Sequence, residues 1–201
     1  MDWKRKDIYF LSDQTNEANQ RMLFAKTATL VGIEGFDKVT YPDWETLLRA
    51  LNRQLPENCT VCFDEFPYLV KSCPSLPSVI QKLLNEKCLK FNLILCGSSQ
   101  QLMQGYILDR KEPLYGLADE IIRLTPIPVQ YIGQALGCDA QNAVEEYAVW
   151  GGIPTYWELR ADYNDNETAI EKLLLDNKGF LADEPIRLLR DDMRDTVQAS
   201  T

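Results

Sequence analysis

Histidine is absent from all 201 residues. Its absence excludes the histidine-dependent catalytic triads and removes the usual nitrogen ligands of zinc sites. No apolar stretch approaches the roughly 18 residues of a membrane-crossing helix. After Met1 to Asp7 only four apolar residues follow in a row, Ile8 to Leu11, too few for a signal-peptide core; a cytoplasmic protein is the expectation. Basic residues are outnumbered, 21 Lys and Arg against 30 Asp and Glu, for a net charge of -9. The run Lys4-Arg5-Lys6 is too short to build the basic face that nucleic-acid binding requires, which argues against such a partner. Among six cysteines, Cys59 and Cys62 have C-x-x-C spacing, but no second pair completes a metal site. Cys62 and Cys96 fall inside apolar runs, where free cysteine behaves as a small buried hydrophobe, so neither metal nor redox use is expected of them.

What remains is a chain that is 45% hydrophobic and 25% charged, enough for a packed core. Short apolar runs alternate with longer helical stretches, the pattern of an α/β layer fold. Ile8–Leu11 reads as a strand. A helix follows from Thr15 to about Val31, with Met22, Leu23, Ala25, Lys26 and Leu30 near the helical period and Gly32 closing it. Lys38 to Tyr41 reads as a short extended piece. Pro42-Asp43 opens a helix through Leu55 that places Trp44, Leu47, Leu48 and Leu51 on one face. Strands are expected at 60–63, 91–96 and 120–124, with helices from Val79 to Cys88 and from Gln100. Beyond Pro128 only helices are expected: Asn142 to Trp150, a short one from Pro154, Thr168 to Asn177 and Pro185 to Arg194. The division follows, an α/β core over 1–128 and a helical lid over 129–201.

Three elements carry chemistry. The first is Val61-Cys62-Phe63-Asp64-Glu65, an apolar strand that runs into two acids. Carboxylates are too costly to bury within a strand covered on both faces, so they appear where it emerges. In open α/β sheets ligands bind at that carboxyl edge. A plain polar turn after a strand is the competing reading. The second element is Leu93 to Cys96 followed by Gly97-Ser98-Ser99. A short hydroxyl there suits a contact to an attacking water or a phosphate, or equally the cap of the helix from Gln100. A serine-hydrolase role for Ser98 is poor, because G-x-S-x-G and any histidine base are missing. The third element, Gly151-Gly152-Ile153-Pro154-Thr155-Tyr156, is first of all the punctuation of a helix–helix corner.

In order and spacing, Asp64-Glu65-Phe66, Gly97-Ser98-Ser99, Pro113-Leu114-Tyr115-Gly116 and Gly151 to Tyr156 resemble the archaeal and bacterial AAA-type P-loop ATPases of the STAND group. The tail Leu181-Ala182-Asp183-Glu184-Pro185 with Leu188-Leu189 is similar to that family's lead-in to a winged helix. The resemblance spans roughly residues 5–195. It implies a P-loop NTPase-like (AAA/ASCE) parallel sheet and a helical lid. In the intact family, with ATP and Mg²⁺ as cofactors, the position of Asp64 organises Mg²⁺ (Walker B). That of Glu65 acts on the attacking water, and that of Ser98 senses the terminal phosphate (sensor 1).

Three departures qualify what the resemblance implies. No G-x-x-x-x-G-K-[ST] loop occurs, so the phosphate cradle and its lysine (Walker A) are missing, and with them the first strand of the sheet. In the family that strand is central, between the Ser98 strand and the final one. Leu117 stands where the family usually has an arginine after Pro-Leu-Tyr-Gly. The chain also stops where the winged helix would begin. The expectation is therefore a truncated or degenerate copy with negligible ATP hydrolysis of its own. The alternative is a noncatalytic module that uses the same scaffold for protein partners or self-association.

Overall fold

Two parallel crossovers build the sheet. In a computed structural model describing residues 6–107, 109–184 and 186, β1 (Ile8–Leu11), β2 (Thr60–Asp64) and β3 (Asn92–Leu95) form a three-stranded parallel sheet in the order β1-β2-β3. Tyr9 aligns with Cys62 and Cys62 with Ile94; Phe10 aligns with Phe63 and Phe63 with Leu95. The chain forms an α/β protein with two compact units, 1–120 and 121–201.

In the first unit, α1 (Glu17–Leu30) starts at Asn16, whose side chain accepts from the Asn19 amide. It ends where Gly32 takes a left-handed φ of 96°, as a glycine after a helix readily does. The helix is as expected, and of the residues its period picked out Ala25 is buried and Leu23 packs against the core. Gln20, Phe24, Ala25 and Ala28 are buried, whereas Met22 and Leu30 face solvent. Phe24 decides the rotation, since its ring packs edge-on against Phe10 and Trp44 and tilts over Phe63. Of the extended piece expected at Lys38 to Tyr41, Lys38 closes a 3-10 turn, Phe36–Lys38, and Val39 is extended at φ -105° and ψ 133°, in a segment that joins no sheet. Asp43 caps α2 (Trp44–Gln54) by accepting from Thr46 N at 2.7 Å, and Trp44, Leu47, Leu48 and Leu51 are buried as their spacing requires. Between β2 and β3 lie α3 (Phe66–Ser72) and α4 (Leu76–Asn85), followed after β3 by α5 (Gln100–Ile107). The helix α3 had no counterpart in the sequence reading, because Pro67 and a seven-residue length hide its periodicity.

A sheet wound in sequence order by right-handed crossovers receives its connecting helices on one face. That face is packed: Ile8, Phe10, Val61 and Phe63 are 4% exposed or less. The opposite face carries Tyr9, Leu11 and Ile94 at 42%, 59% and 45% exposure. Parallel sheets ordinarily have both faces covered; here, among the described residues, that face is only partly covered, with Cys62 on it 5% exposed.

The strand expected at 120–124 does not form. These residues have no regular structure, and Ile121, Ile122 and Leu124 are 54%, 70% and 87% exposed. A strand needs a ladder partner, and the one that the resemblance assigns to it is the absent phosphate-loop strand.

The second unit is helical: a 3-10 turn at Val129–Tyr131, α6 (Ile132–Leu136), α7 (Ala140–Trp150), α8 (Pro154–Ala161) and α9 (Asn166–Ile170), which continues as a π-helical turn through Leu175. Ile132, Ala143, Trp150, Trp157, Ala169, Leu173 and Leu181 form its core. A buried ion pair crosses it. Arg160 donates to both Glu146 oxygens at 2.6 and 2.8 Å and to the Tyr163 carbonyl at 2.8 Å, while Trp150 Nε1 donates to Glu146 at 3.0 Å. Apart from Ile186, the helix expected from Pro185 to Arg194 lies outside the described residues, as do Leu188-Leu189 of the tail and Lys4 and Arg5. Among the described residues no helix is long and apolar enough to cross a membrane.

Candidate functional site

The carboxyl ends of β2 and β3 emerge side by side, and this is where the sequence-predicted residues meet. Asp64 is the last residue of β2 and is half-buried. Its Oδ1 accepts from the Glu65 amide at 3.0 Å, and its Oδ2 accepts a short hydrogen bond from the Tyr9 hydroxyl. The Tyr9 phenol is pushed up to about 12, first by that hydrogen bond and then by burial. Sequence reading did not single out Tyr9. The signal lies in the register: Tyr9 aligns with Cys62, so it shares a face with Asp64, two residues on.

Glu65 occupies the joint between β2 and α3 with φ 50° and ψ 44°, the left-handed region, and makes no side-chain cap to the helix it precedes. A non-glycine residue there carries strain of about 1–2 kcal/mol. Phe66 N then donates to the Cys96 carbonyl at 2.8 Å, and Cys96 N to the Phe63 carbonyl at 2.9 Å. These two bonds tie the acidic joint to the exit of β3. Phe66 itself is fully buried and anchors α3.

Past Cys96 the chain passes through Gly97 in a space that only glycine fits. An added Cβ would lie 2.9 Å from Met103 and from Pro67. Ser98 follows and is exposed. Ser99 occupies the helix-start position, its carbonyl accepting from Met103 N at 3.0 Å. The backbone role at the start of α5 thus falls to Ser99, and Ser98 is left at the sheet edge that also carries Asp64 and Glu65. On the sheet face beneath them, the Cys62 and Cys96 sulfurs are 3.6 Å apart, and burial followed by the hydrogen bond to Cys96 pushes the Cys62 thiol up to about 12.

The other motif positions are structural. Pro113 to Gly116 forms a turn whose Leu114 is 4% exposed and whose Pro113 carbonyl accepts from Gln81 of α4 at 2.6 Å. Leu117, in the position of the family arginine, packs against the core. Gly152 is required by close approach, since a Cβ would lie 2.3 Å from the Ile127 carbonyl oxygen. The bond from Ile127 N to the Gly152 carbonyl at 2.8 Å fixes that contact.

As a magnesium site this donor set is incomplete. Mg²⁺ is usually held by one or two carboxylates together with substrate phosphates and water. Asp64 supplies one carboxylate, both of whose oxygens already accept hydrogen bonds. No group of three or more His, Cys, Asp or Glu side chains is arranged for a metal ion among the described residues. The sequence contains no phosphate-binding loop to bring the remaining oxygens. The residues present do not by themselves fit Mg-ATP.

No protein-family model matches the chain. It is similar to the uncharacterized protein MJECL04 of Methanocaldococcus jannaschii, with 27% identity over 170 residues, 81% of this chain and 36% of that protein. The chain thus spans about a third of the length of the curated relative it matches.

Proposed function

We propose that this chain carries the acidic half of an AAA-type (STAND) P-loop ATPase site, as a fragment or degenerate copy that does not hydrolyse ATP alone. The observation that carries the reading is the strained Asp64-Glu65 joint at the carboxyl end of the central strand, tied to the exit of β3 beside Ser98. In the intact site Asp64 would organise Mg²⁺ and Glu65 would act on water. Ser98 would sense the terminal phosphate.

The half-open sheet supports the same reading. Strands wound in one direction cover one face, and the other is covered only when a strand beyond β3 reverses the winding. Ligands of open α/β sheets bind at that point of reversal. The missing phosphate-loop strand and its helix would supply the reversal and the cover for Tyr9, Leu11 and Ile94. Phosphoryl transfer is catalysed mainly by positioning and electrostatics, and half of both are absent here.

The test compares this chain with the product of the reading frame extended upstream of Met1. An extended product with a phosphate loop that hydrolyses ATP and loses that activity in Glu65→Gln, beside an inactive 201-residue chain, is the expected result. Turnover by the 201-residue chain that Glu65→Gln abolishes would refute the claim of inactivity. An extended frame with no phosphate loop, together with no heat on titration with Mg-ATP, would favour the second reading, a noncatalytic interaction module. The exposed apolar row of Tyr9, Leu11 and Ile94 would then be that module's contact surface.

A further inference from the structure

We propose that Cys62 and Cys96 form an oxidisable dithiol, which a low-molecular-weight disulfide converts into a cross-link fastening the end of β2 to the exit of β3. Both thiols are free, and their sulfurs are 3.6 Å apart. A disulfide needs about 2.05 Å, and because the register sets Cys62 opposite Ile94, two residues short of Cys96, closing the gap requires the Cys96 backbone to shift toward Cys62 as well as the sulfurs to turn. Cys96 lies just beyond the last residue of β3 but still holds Phe63 of β2 and Phe66 through two backbone hydrogen bonds, so the cross-link forms only as that exit shifts with it.

The sequence spacing points to the wrong partner. Cys59 and Cys62 have the C-x-x-C pattern, but residues three apart on extended chain face opposite sides of a sheet. Cys59 is indeed in the packed core at 1% exposure. Parallel pairing brings in Cys96 instead, 34 residues away in sequence. The pair lies on the sheet face that carries the 45%-exposed Ile94, with Cys62 itself buried at 5% exposure. Cys96 is itself half-buried, so a small reagent reaches it first.

The chemistry is ordinary thiol–disulfide exchange. The Cys96 sulfur, as thiolate, attacks one sulfur of RSSR, forming a mixed disulfide and expelling RS⁻. The Cys62 thiol, which burial keeps protonated and slow to react, then loses its proton and attacks the Cys96 sulfur, forming the Cys62–Cys96 bond and expelling the second RS⁻. The two protons released by the protein thiols go to the two RS⁻ groups. The protein loses two electrons and RSSR is reduced to two RSH. Because Cys96 holds the Phe63 carbonyl and the Phe66 amide through its backbone, the cross-link clamps the Asp64-Glu65 joint lying between them and the Gly97-Ser98-Ser99 exit. If the proposed nucleotide site is correct, the dithiol is its redox control; formation of the bond does not depend on that reading.

The experiment treats the folded 201-residue chain with oxidised glutathione, then maps peptides without reduction and records melting curves. The expected result is loss of two hydrogens, a cross-linked Cys62–Cys96 peptide pair and reversal by dithiothreitol. Closing a 34-residue span should raise the melting temperature by about 10 °C. In Cys62→Ser, glutathione should remain attached to Cys96. A wild-type chain that keeps a stable glutathione adduct on Cys96, cross-links a different cysteine pair, or shows no reaction overturns the proposal. The wild-type map decides the matter even if the variant folds poorly, and no outcome depends on ATP turnover.

Discussion

Replacing Glu65 by glycine should stabilise the protein while removing the very carboxylate that the functional reading values most. Glu65 is held at φ 50° and ψ 44° and makes no side-chain hydrogen bond to the helix it precedes. Left-handed backbone costs an L-residue about 1–2 kcal/mol, which glycine does not incur. Glycine gives back about 0.5–1 kcal/mol through the greater freedom of its unfolded chain. The net gain for Glu65→Gly is therefore about 0.5–1 kcal/mol, or a melting temperature higher by about 1–4 °C in a chain of this size. Glu65→Ala keeps the strained backbone and should give no such gain. Arg53, exposed in the last turn of α2, provides the control: there glycine should be worse than alanine by about 1 kcal/mol. Urea unfolding of the four variants tests this reversal of sign. If glycine is no better than alanine at position 65, the joint is not strained by its backbone, and the inference from strain to function fails.

Two further perturbations test the two units separately. Glu146→Ala leaves Arg160 charged and unpaired in the core of the helical unit, and should cost about 3–5 kcal/mol in urea unfolding. Pairing it with Arg160→Met should recover much of that loss, whereas a double variant as unstable as the sum of the two singles would deny the coupling. Tyr9 supplies a pH signature. Its folded pKa is raised from 10.0 to about 12 by Asp64 and burial, so its contribution is complete below about pH 10 and is lost as the pH rises towards about 12. The stability difference between wild type and Tyr9→Phe should shrink over that window in alkaline titration, and a constant difference would show that the Tyr9–Asp64 bond contributes nothing.

Much of the first unit was legible before folding was considered. Asp43, the Trp44-Leu47-Leu48-Leu51 spacing and the apolar runs ending at Asp64 and Leu95 express local rules of capping, periodicity and burial, and the structure follows them. The rotation of α1 was only partly legible, because Met22 and Leu30 are as apolar as the residues that do turn inward. Which face is buried depends on Phe24 meeting Phe10, Trp44 and Phe63, contacts with distant segments. The strand at 120–124 was misread for a related reason. Ile121, Ile122 and Leu124 have the composition of a strand, but composition cannot supply a ladder partner.

At the candidate site the division is the same. By itself the sequence determined the acids at 64 and 65, the Gly97-Ser98-Ser99 exit and the absence of a phosphate-binding loop, since those are matters of which residues occur and in what order. Only the tertiary structure decided that Glu65 is held left-handed, that Tyr9 bonds Asp64, and that Cys62 lies beside Cys96 instead of sharing a face with Cys59. Each of those facts depends on strand register and sheet winding, which arise when segments far apart in sequence pair through their backbones. The half-open sheet is their joint product: each strand is written locally, but the face that remains only partly covered is set by the order in which the strands are wound together.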